Sequence, residues 1–236
     1  MITPIFAPAD YFDLKLTEHA ALFDGVLQAW DILPRLVHYL EEHLVPGNHG
    51  KMIGAPAIGE RVFIGENTVV EPGAYIKGPA WIGPNCQIRH GAYIRENVII
   101  GAGSVVGNSS EIKNSFLFNG CQAPHFNYVG DSILGAKVHL GAGVIVSNLK
   151  LNGDFVMLRV GNAILTTGLR KFGALIGDGV EVGCNAVINP GSVLGRRSLI
   201  YPGVGWRGVL PANSIAKSAD CVRERRGETV PTSSII

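Results

Sequence analysis

From Ile58 to Leu117 the chain reads IGERVF IGENTV VEPGAY IKGPAW IGPNCQ IRHGAY IRENVI IGAGSV VGNSSE IKNSFL. Each unit of six opens on an aliphatic residue. A small or branched residue returns four places later, at Val62, Thr68, Ala74, Ala80, Cys86, Ala92, Val98 and Ser104. A period of two marks half-buried strands and a period of 3.6 marks helices. A sustained period of six fits neither and predicts an all-β solenoid, in which positions 18 apart share one face, one coil above the other.

The beat extends in both directions with interruptions. Phe118 and Pro124 continue it, but the next aliphatic opener is Val129, 11 residues after Phe118 rather than 12, which puts a deformation of the coil around His125. Openers resume at Leu134, Leu140 and Val146. A less regular stretch, Ser147 to Phe172, carries Lys150, Arg159, Arg170 and Lys171, and the repeats return at Ile176, Val182, Ile188, Leu194 and Ile200. A loop thrown from a regular scaffold is a common seat of function. Before the repeats, Ala7 to Phe12 reads as loop. From Thr17 to about Leu44 the apolar residues Ala21, Leu22, Val26, Leu27, Trp30, Leu33, Leu36, Val37, Leu40 and Leu44 recur at three and four. That spacing predicts an amphipathic helix, or two broken near Pro34, packed on the first coils or on a neighbouring subunit. The chain thus divides into an N-terminal helical segment (1–50), a solenoid domain (51–215) and a C-terminal cap and tail (216–236).

Composition narrows the class of function. The 236 residues are 47% hydrophobic, enough for one buried core. Net charge is +1 and only 17% of residues are charged, which argues against nucleic-acid binding through a basic field. Four cysteines show no paired spacing, no leader-like apolar segment opens the chain, and no apolar run approaches membrane-spanning length. These features point to a soluble cytoplasmic protein with reduced thiols and no membrane partner. Cys86 and Cys184 fall at or near inward repeat positions, so packing accounts for them.

The period also places charge. Lys77, Arg95 and Lys113 are spaced by 18 and 18, each second in its unit, so they stack about 5 Å apart on one face. Like charges at that distance repel by about 0.8 kcal/mol in bulk water. An anion across the ladder, a phosphate above all, relieves the repulsion; so do carboxylates such as Glu71, Glu96 and Glu111 beside three solvated cations. Spacing alone leaves both readings open. His125 lies in QAPHFNYVGD beside Asn127, Tyr128 and Asp131. Histidine is the usual general base near neutral pH, with an Asp or a carbonyl fixing its tautomer, although a lone histidine is more often structural. Asn148 ends the small-residue run LGAGVIVSN, where its amide either binds a sugar hydroxyl or closes a turn.

With these residues in hand, EIKNSFLFNGCQAPHFNYVGDSILGAKVHLGAGVIVSNLK (Glu111 to Lys150) resembles the acetyltransferase domain of the bifunctional N-acetylglucosamine-1-phosphate uridyltransferase/glucosamine-1-phosphate acetyltransferase family. It is closer still to the archaeal-type sugar-1-phosphate acetyltransferase/nucleotidylyltransferases. The similarity runs from about Gly54 to Ser218. HxxYxGD followed by GAG and Asn is its specific part; the hexapeptide beat is shared by many acyltransferases. The resemblance implies a left-handed parallel β-helix that trimerises, with active sites between subunits. The nucleotidylyltransferase half that precedes the β-helix in that family finds no room and no Gly-rich nucleotide loop in the N-terminal segment.

The resemblance further implies an acetyl-CoA-dependent N-acetyltransferase acting on an amino-sugar 1-phosphate, glucosamine or galactosamine 1-phosphate. His125 matches the general base. Arg95 and Lys113 match phosphate-binding cations, with Lys77 beside them on the ladder, and Tyr128 matches a tyrosine on the substrate phosphate. Ala142 matches the backbone N–H that steadies the oxyanion, and Asn148 an asparagine that orients the amine and acetyl groups. Departures fall in the sugar site: His139 and Leu149 stand where the bacterial family has asparagine and tyrosine. Asp154 and Met157 fall near places where archaeal-type relatives carry lysines, leaving Lys150, Arg170 or Lys171 to reach coenzyme A phosphates. Two other readings compete. One is a non-catalytic β-helix that binds a sugar phosphate or nucleotide sugar. The other is a zinc carbonic anhydrase drawing on His90, His125 and His139, which the spacing of those three disfavours; acyl transfer itself requires no metal.

Overall fold

The computed structural model describes residues 6–225, and in it the six-residue beat becomes a three-sided stack of parallel coils. The first face runs from Gly47–Asn48 to Val209–Leu210, the second from Lys51–Met52 to Ser214–Ser218, and the third from Ala57–Ile58 to Gly205–Trp206. Each coil gives one short strand to each face, and the openers point inward in three vertical columns. Ile64, Ile82, Ile100, Leu117, Leu134, Ile176, Leu194 and Leu210 form the first. Ile76, Ile94, Ile112, Val129, Val146 and Ile188 continue the third. The small residues four places after each opener are buried at the corners, as their spacing predicts. This is the parallel β-helix; its interior is a continuous apolar rod, stabilised at roughly 25 cal/mol per Å² of buried apolar surface.

The interruption of the beat falls elsewhere than the openers suggest. Leu117, not Phe118, pairs with Ile100 and faces inward, so the shortened step is Ile112 to Leu117 and it recurs from Val129 to Leu134. Two consecutive coils therefore have 17 residues, since Ile100 pairs with Leu117 and Leu117 with Leu134. Both lose their residue at the corner between third and first faces, where Asn114 (φ 43°) and Asp131 (φ 48°) adopt the left-handed conformation. His125 does not deform the coil: it continues the strand Gln122–His125, opposite Asn108. Cys86 is buried as expected, whereas Cys184 lies exposed at a corner.

The N-terminal segment departs from the helical reading. Ala7 to Phe12 includes a single α-helical turn, Pro8–Tyr11. The apolar spacing of three and four is met mostly by 3₁₀ turns, Leu14–Leu16, Ala20–Phe23 and Ala29–Arg35, and only Leu36–His43 is α-helical. Pro34 sits inside the third turn; lacking an N–H, it cannot extend an α-helical ladder through that point. Leu27, counted among the apolar stripe, is 70% exposed. The segment does not cap the stack. It lies along the first face, covering outward residues that are themselves apolar: Phe12 stacks on Phe118 at 4.8 Å, Phe23 meets Phe116 edge-on at 5.4 Å, and Trp30 meets Phe172 at 5.7 Å. Asp178 anchors it, accepting from Asp13 N–H at 2.7 Å and Ala136 N–H at 2.8 Å.

At the other end Cys221–Glu224 pairs antiparallel with Ser214–Ser218 and closes the second sheet. The remainder of the proposed tail, 226–236, lies outside the described residues. The irregular stretch leaves the stack after Asn148 and returns at Gly173; within it Met157–Val160 and Ala163–Thr166 form an antiparallel hairpin. Val156 and Leu158 of this excursion pack into the same outer apolar cluster as the N-terminal segment.

His19 is held inside that cluster, edge-on to Trp81 at 4.3 Å, with Nδ1 bonded to Tyr39 Oη at 3.1 Å and Nε2 without a partner among the described residues. Burial, then the charge of His43, lowers its pKa from 6.5 to about 4. A folded pKa below the unfolded one means the unfolded chain takes the proton first, so stability is full above pH 6.5 and declines as pH falls toward 4. The drop amounts to roughly 3 kcal/mol across the 6.5-to-4 window. Thermal unfolding from pH 7 to 4 is expected to show this fall in the wild type, and His19→Phe is expected to flatten it; a parallel decline in the variant refutes the assignment.

Candidate active site

Two edges of the third face carry the residues singled out from sequence. At the edge shared with the second face, the corner turns stack Pro72, His90, Asn108, His125, Ala142, Cys184 and Pro202 in one column. Each occupies the outward position preceding a left-handed residue, which is Gly73, Gly91, Ser109, Phe126, Gly143, Asn185 or Gly203 in turn. His125 is exposed there. Its backbone N–H donates to Asn127 Oδ1 at 3.1 Å and its carbonyl accepts from Gly143 N–H at 3.0 Å, while the imidazole has no partner among the described residues. Ala142 stands one coil above, and its N–H is likewise unpartnered among the described residues.

At the opposite edge the cationic ladder forms as its spacing predicts: Lys77, Arg95 and Lys113 follow the paired residues Ile76, Ile94 and Ile112. Carboxylates interleave with it. Lys77 meets Glu96 at 3.2 Å, Arg95 meets Glu96 at 3.3 Å and Glu111 at 3.0 Å, and Lys113 meets Asp131 at 3.3 Å. Glu71 instead accepts from His90 N–H. Burial pushes Glu96 upward, but its own backbone N–H, Lys77 and Arg95 outweigh that and hold its carboxyl below the ordinary range. The like-charge repulsion is thus relieved within the chain. Donor capacity remains: Arg95 Nη1 and Nη2 each spend one of two hydrogens, and Lys113 Nζ one of three.

Tyr128 projects from the strand between these edges, and Asn148 stands over Asp131 at the ladder edge. Burial, then the charges of Glu111 and Asp131, raises the Tyr128 pKa against the opposing pull of Arg95 and Asn148, so its hydroxyl stays protonated and can donate. Gly130 takes the ladder position above Lys113. A Cβ there would lie 2.6 Å from both Asn148 Nδ2 and Tyr128 Oη, so only glycine lets the two approach. The structure therefore gathers Arg95, Lys113, Tyr128 and Asn148 along one edge and His125 with Ala142 along the other. His139 is not among them; it points outward from the second face, between Gln122 and Glu181. Lys150 and Arg170 hold the excursion together, Lys150 Nζ donating to Phe155 O at 3.3 Å and Arg170 Nε to Gly153 O at 3.2 Å, while Lys171 bridges Leu149 through its backbone. His90 and His125 share a column but lie two coils apart, about 10 Å, with Asn108 between them, too far to bind one ion.

Sequence reasoning placed Asp131 beside His125. Its carboxylate turns the other way, bonding Lys113, Asn114 and Asn148. The signal was present in the spacing: Asn114, Asp131 and Asn148 are 17 and 17 residues apart, the length of a shortened coil.

Comparison with known proteins identifies relatives of this chain. The family described as the GMPPB C-terminal domain matches residues 76–169. The bifunctional sugar-1-phosphate nucleotidylyltransferase/acetyltransferase of Sulfurisphaera tokodaii is 32% identical over 190 residues, 80% of this chain and 47% of the relative. The bifunctional protein GlmU of Methanococcus maripaludis is 39% identical over 171 residues, 72% of this chain and 41% of the relative. The uncharacterised acetyltransferase YaiX of Escherichia coli K12 is 35% identical over 162 residues, 69% of this chain and 70% of that protein. The chain spans about half the length of the two bifunctional relatives.

Phe126, beside His125, is an exposed aromatic held at φ 53°, where neighbouring coils place Gly, Ser or Asn. A bulky residue in this region costs about 1–3 kcal/mol. Phe126→Gly is expected to raise stability by about 1 kcal/mol in denaturant titration, since little buried surface is lost with an exposed ring. A decrease of similar size rules out a strained turn.

Proposed function

The chain belongs to the hexapeptide-repeat acetyltransferase family, and from that premise we propose that it transfers the acetyl group of acetyl-CoA to the amino nitrogen of an amino-sugar 1-phosphate. The observation that carries this reading is the column of His125 and Ala142: an exposed imidazole one coil below a backbone N–H, neither with a partner among the described residues. With the amine nitrogen attacking the thioester carbonyl carbon, the imidazole takes the proton released from nitrogen. The carbonyl oxygen gains negative charge against the Ala142 N–H. Collapse of the tetrahedral intermediate breaks the carbon–sulfur bond, and the imidazolium returns its proton to the sulfur, releasing coenzyme A as its thiol. A base, an oxyanion donor and correct positioning suffice for this chemistry.

The ladder edge supports the phosphate end of the acceptor. Arg95 and Lys113 keep donors beyond those used by their carboxylates, and Tyr128 adds a hydroxyl proton. Glucosamine and galactosamine 1-phosphate are the acceptors proposed, with Lys150, Arg170 and Lys171 near the coenzyme. The chain acts as a homotrimer in the cytoplasm on this reading. Because its first face is sealed by the N-terminal segment, second and third faces are those left for neighbouring subunits, and the third bears exposed apolar side chains at Tyr75, Ile145 and Val187. A second reading, a sugar-phosphate-binding β-helix without turnover, is favoured by the carboxylates that already neutralise the ladder.

Release of coenzyme A thiol from acetyl-CoA, measured with a panel of amino sugars and their 1-phosphates, decides between them. Turnover is expected with a hexosamine 1-phosphate and not with the free sugar, and His125→Ala is expected to lose about a hundredfold or more in kcat without a change in Tm. Saturable binding of the sugar phosphate with no turnover establishes the second reading.

A further inference from the structure

Asp131 occupies the corner where the third face turns into the first, and it is 4% exposed. Its backbone ties three coils: the N–H donates to Lys113 O and the carbonyl accepts from Gly173 N–H, both at 2.9 Å. Its side chain is equally committed. Oδ1 accepts from Asn114 Nδ2 at 2.8 Å, and Oδ2 accepts from Lys113 Nζ at 3.3 Å and from Asn148 Nδ2.

An ionised carboxylate has no proton to give, so the end of an amide that faces it must be the NH₂ end. A flipped Asn148 would set oxygen against oxygen in a buried corner and forfeit a charge-assisted hydrogen bond. Asn148 therefore keeps its nitrogen toward Asp131 and its carbonyl oxygen turned away from it. Gly130 makes this possible, because any side chain there would occupy the space of Asn148 Nδ2.

We propose that Asp131 is a positioning residue that fixes Asn148 as a hydrogen-bond acceptor, so that Asn148 receives an N–H of the acceptor substrate's amino group. The inference rests on the acetyltransferase reading for the identity of that amine, though not for the orientation of the amide. It assigns Asn148 to the nitrogen of the acceptor and leaves donation to the phosphate with Arg95, Lys113 and Tyr128.

The test pairs kinetics with a spectroscopic readout that does not need turnover. Asp131→Asn preserves size and removes the obligatory acceptor. It is expected to lower kcat/KM for the amino-sugar 1-phosphate by about tenfold or more while leaving KM for acetyl-CoA within about twofold. Asn148→Ala is expected to lose a similar factor, and the double variant to be no worse than the poorer single within about twofold, because one residue acts through the other. Multiplying losses in the double variant, or an equal rise in KM for acetyl-CoA, overturn the proposal. In protein labelled with ¹⁵N at asparagine, the Asn148 side-chain NH₂ protons, identified by their absence in Asn148→Ala, are expected to exchange with solvent about tenfold faster in Asp131→Asn than in wild type. If wild type acetylates no acceptor, the functional reading falls and this exchange decides the orientation alone: unchanged exchange overturns it, faster exchange sustains it. Asp131→Ser carries the same expectations should Asp131→Asn fail to fold.

Discussion

Hydrogen bonding between successive coils governs this molecule. Every strand must set its N–H groups against the carbonyls of the coil beside it, so the number of residues in a coil decides which side chains share a column. At 18 residues per coil, Lys77, Arg95 and Lys113 rise in line. At 17, the residue is lost at a corner rather than in a strand, so the inward columns stay aligned and only the corner is rebuilt. The rebuilt corner holds Asn114, Asp131 and Asn148, and the next coil opens into the excursion directly after it. A small change in chain length thus turned a structural corner into a polar cluster without disturbing the apolar rod.

The period made most of the scaffold legible. It placed the interior residues correctly through Ile112 and the small corner residues throughout, because only one environment, the rod, selected for them. It failed at Phe118 because the first face is buried on both sides: Leu117 faces the rod and Phe118 the N-terminal segment, and hydrophobicity cannot tell two apolar environments apart. The same ambiguity affected the N-terminal segment, where a spacing of three and four serves 3₁₀ turns as well as an α-helix. The ladder was readable from spacing, and its carboxylate partners Glu96 and Glu111 were among those weighed. The roles of His125, Ala142 and Asn148 rested on resemblance to a family, since nothing in their local sequence separates a base from a solvated histidine. Asp131 was misplaced because polar residues carry no beat, and its partners are found only once the 17-residue coil is known.

Charge in the candidate site is arranged as two interleaved columns rather than as a basic patch. Each cation reaches a carboxylate on its own or an adjacent coil, and exposure of the pairs falls from the Lys77 pair to the Lys113 pair, whose side chains are 14% and 6% exposed. The more exposed of these, the Lys77 pair, contributes about 0–1 kcal/mol, so its value to the fold is modest. The larger effect of the pairs is to hold cationic side chains extended along the face in defined positions before any ligand arrives, which lowers the ordering cost of binding.

The N-terminal segment changes what kind of folding problem this chain presents. A bare solenoid is nearly one-dimensional: each coil contacts its neighbours, and order can spread from any point or fray from either end. Here residues at the very start of the chain reach far along the stack, Asp13 to Asp178 and Ala9 to Arg196, contacts 165 and 187 residues apart in sequence. Those contacts cannot form until Asp178 and Arg196 have been made, so the apolar residues of the N-terminal segment wait for partners far downstream. Once docked, they act as a strap across many coils, and fraying one coil now disturbs the cover shared by the rest. The strap thus exchanges the independence of repeats for cooperativity, at the cost of slower closure set by long-range contacts.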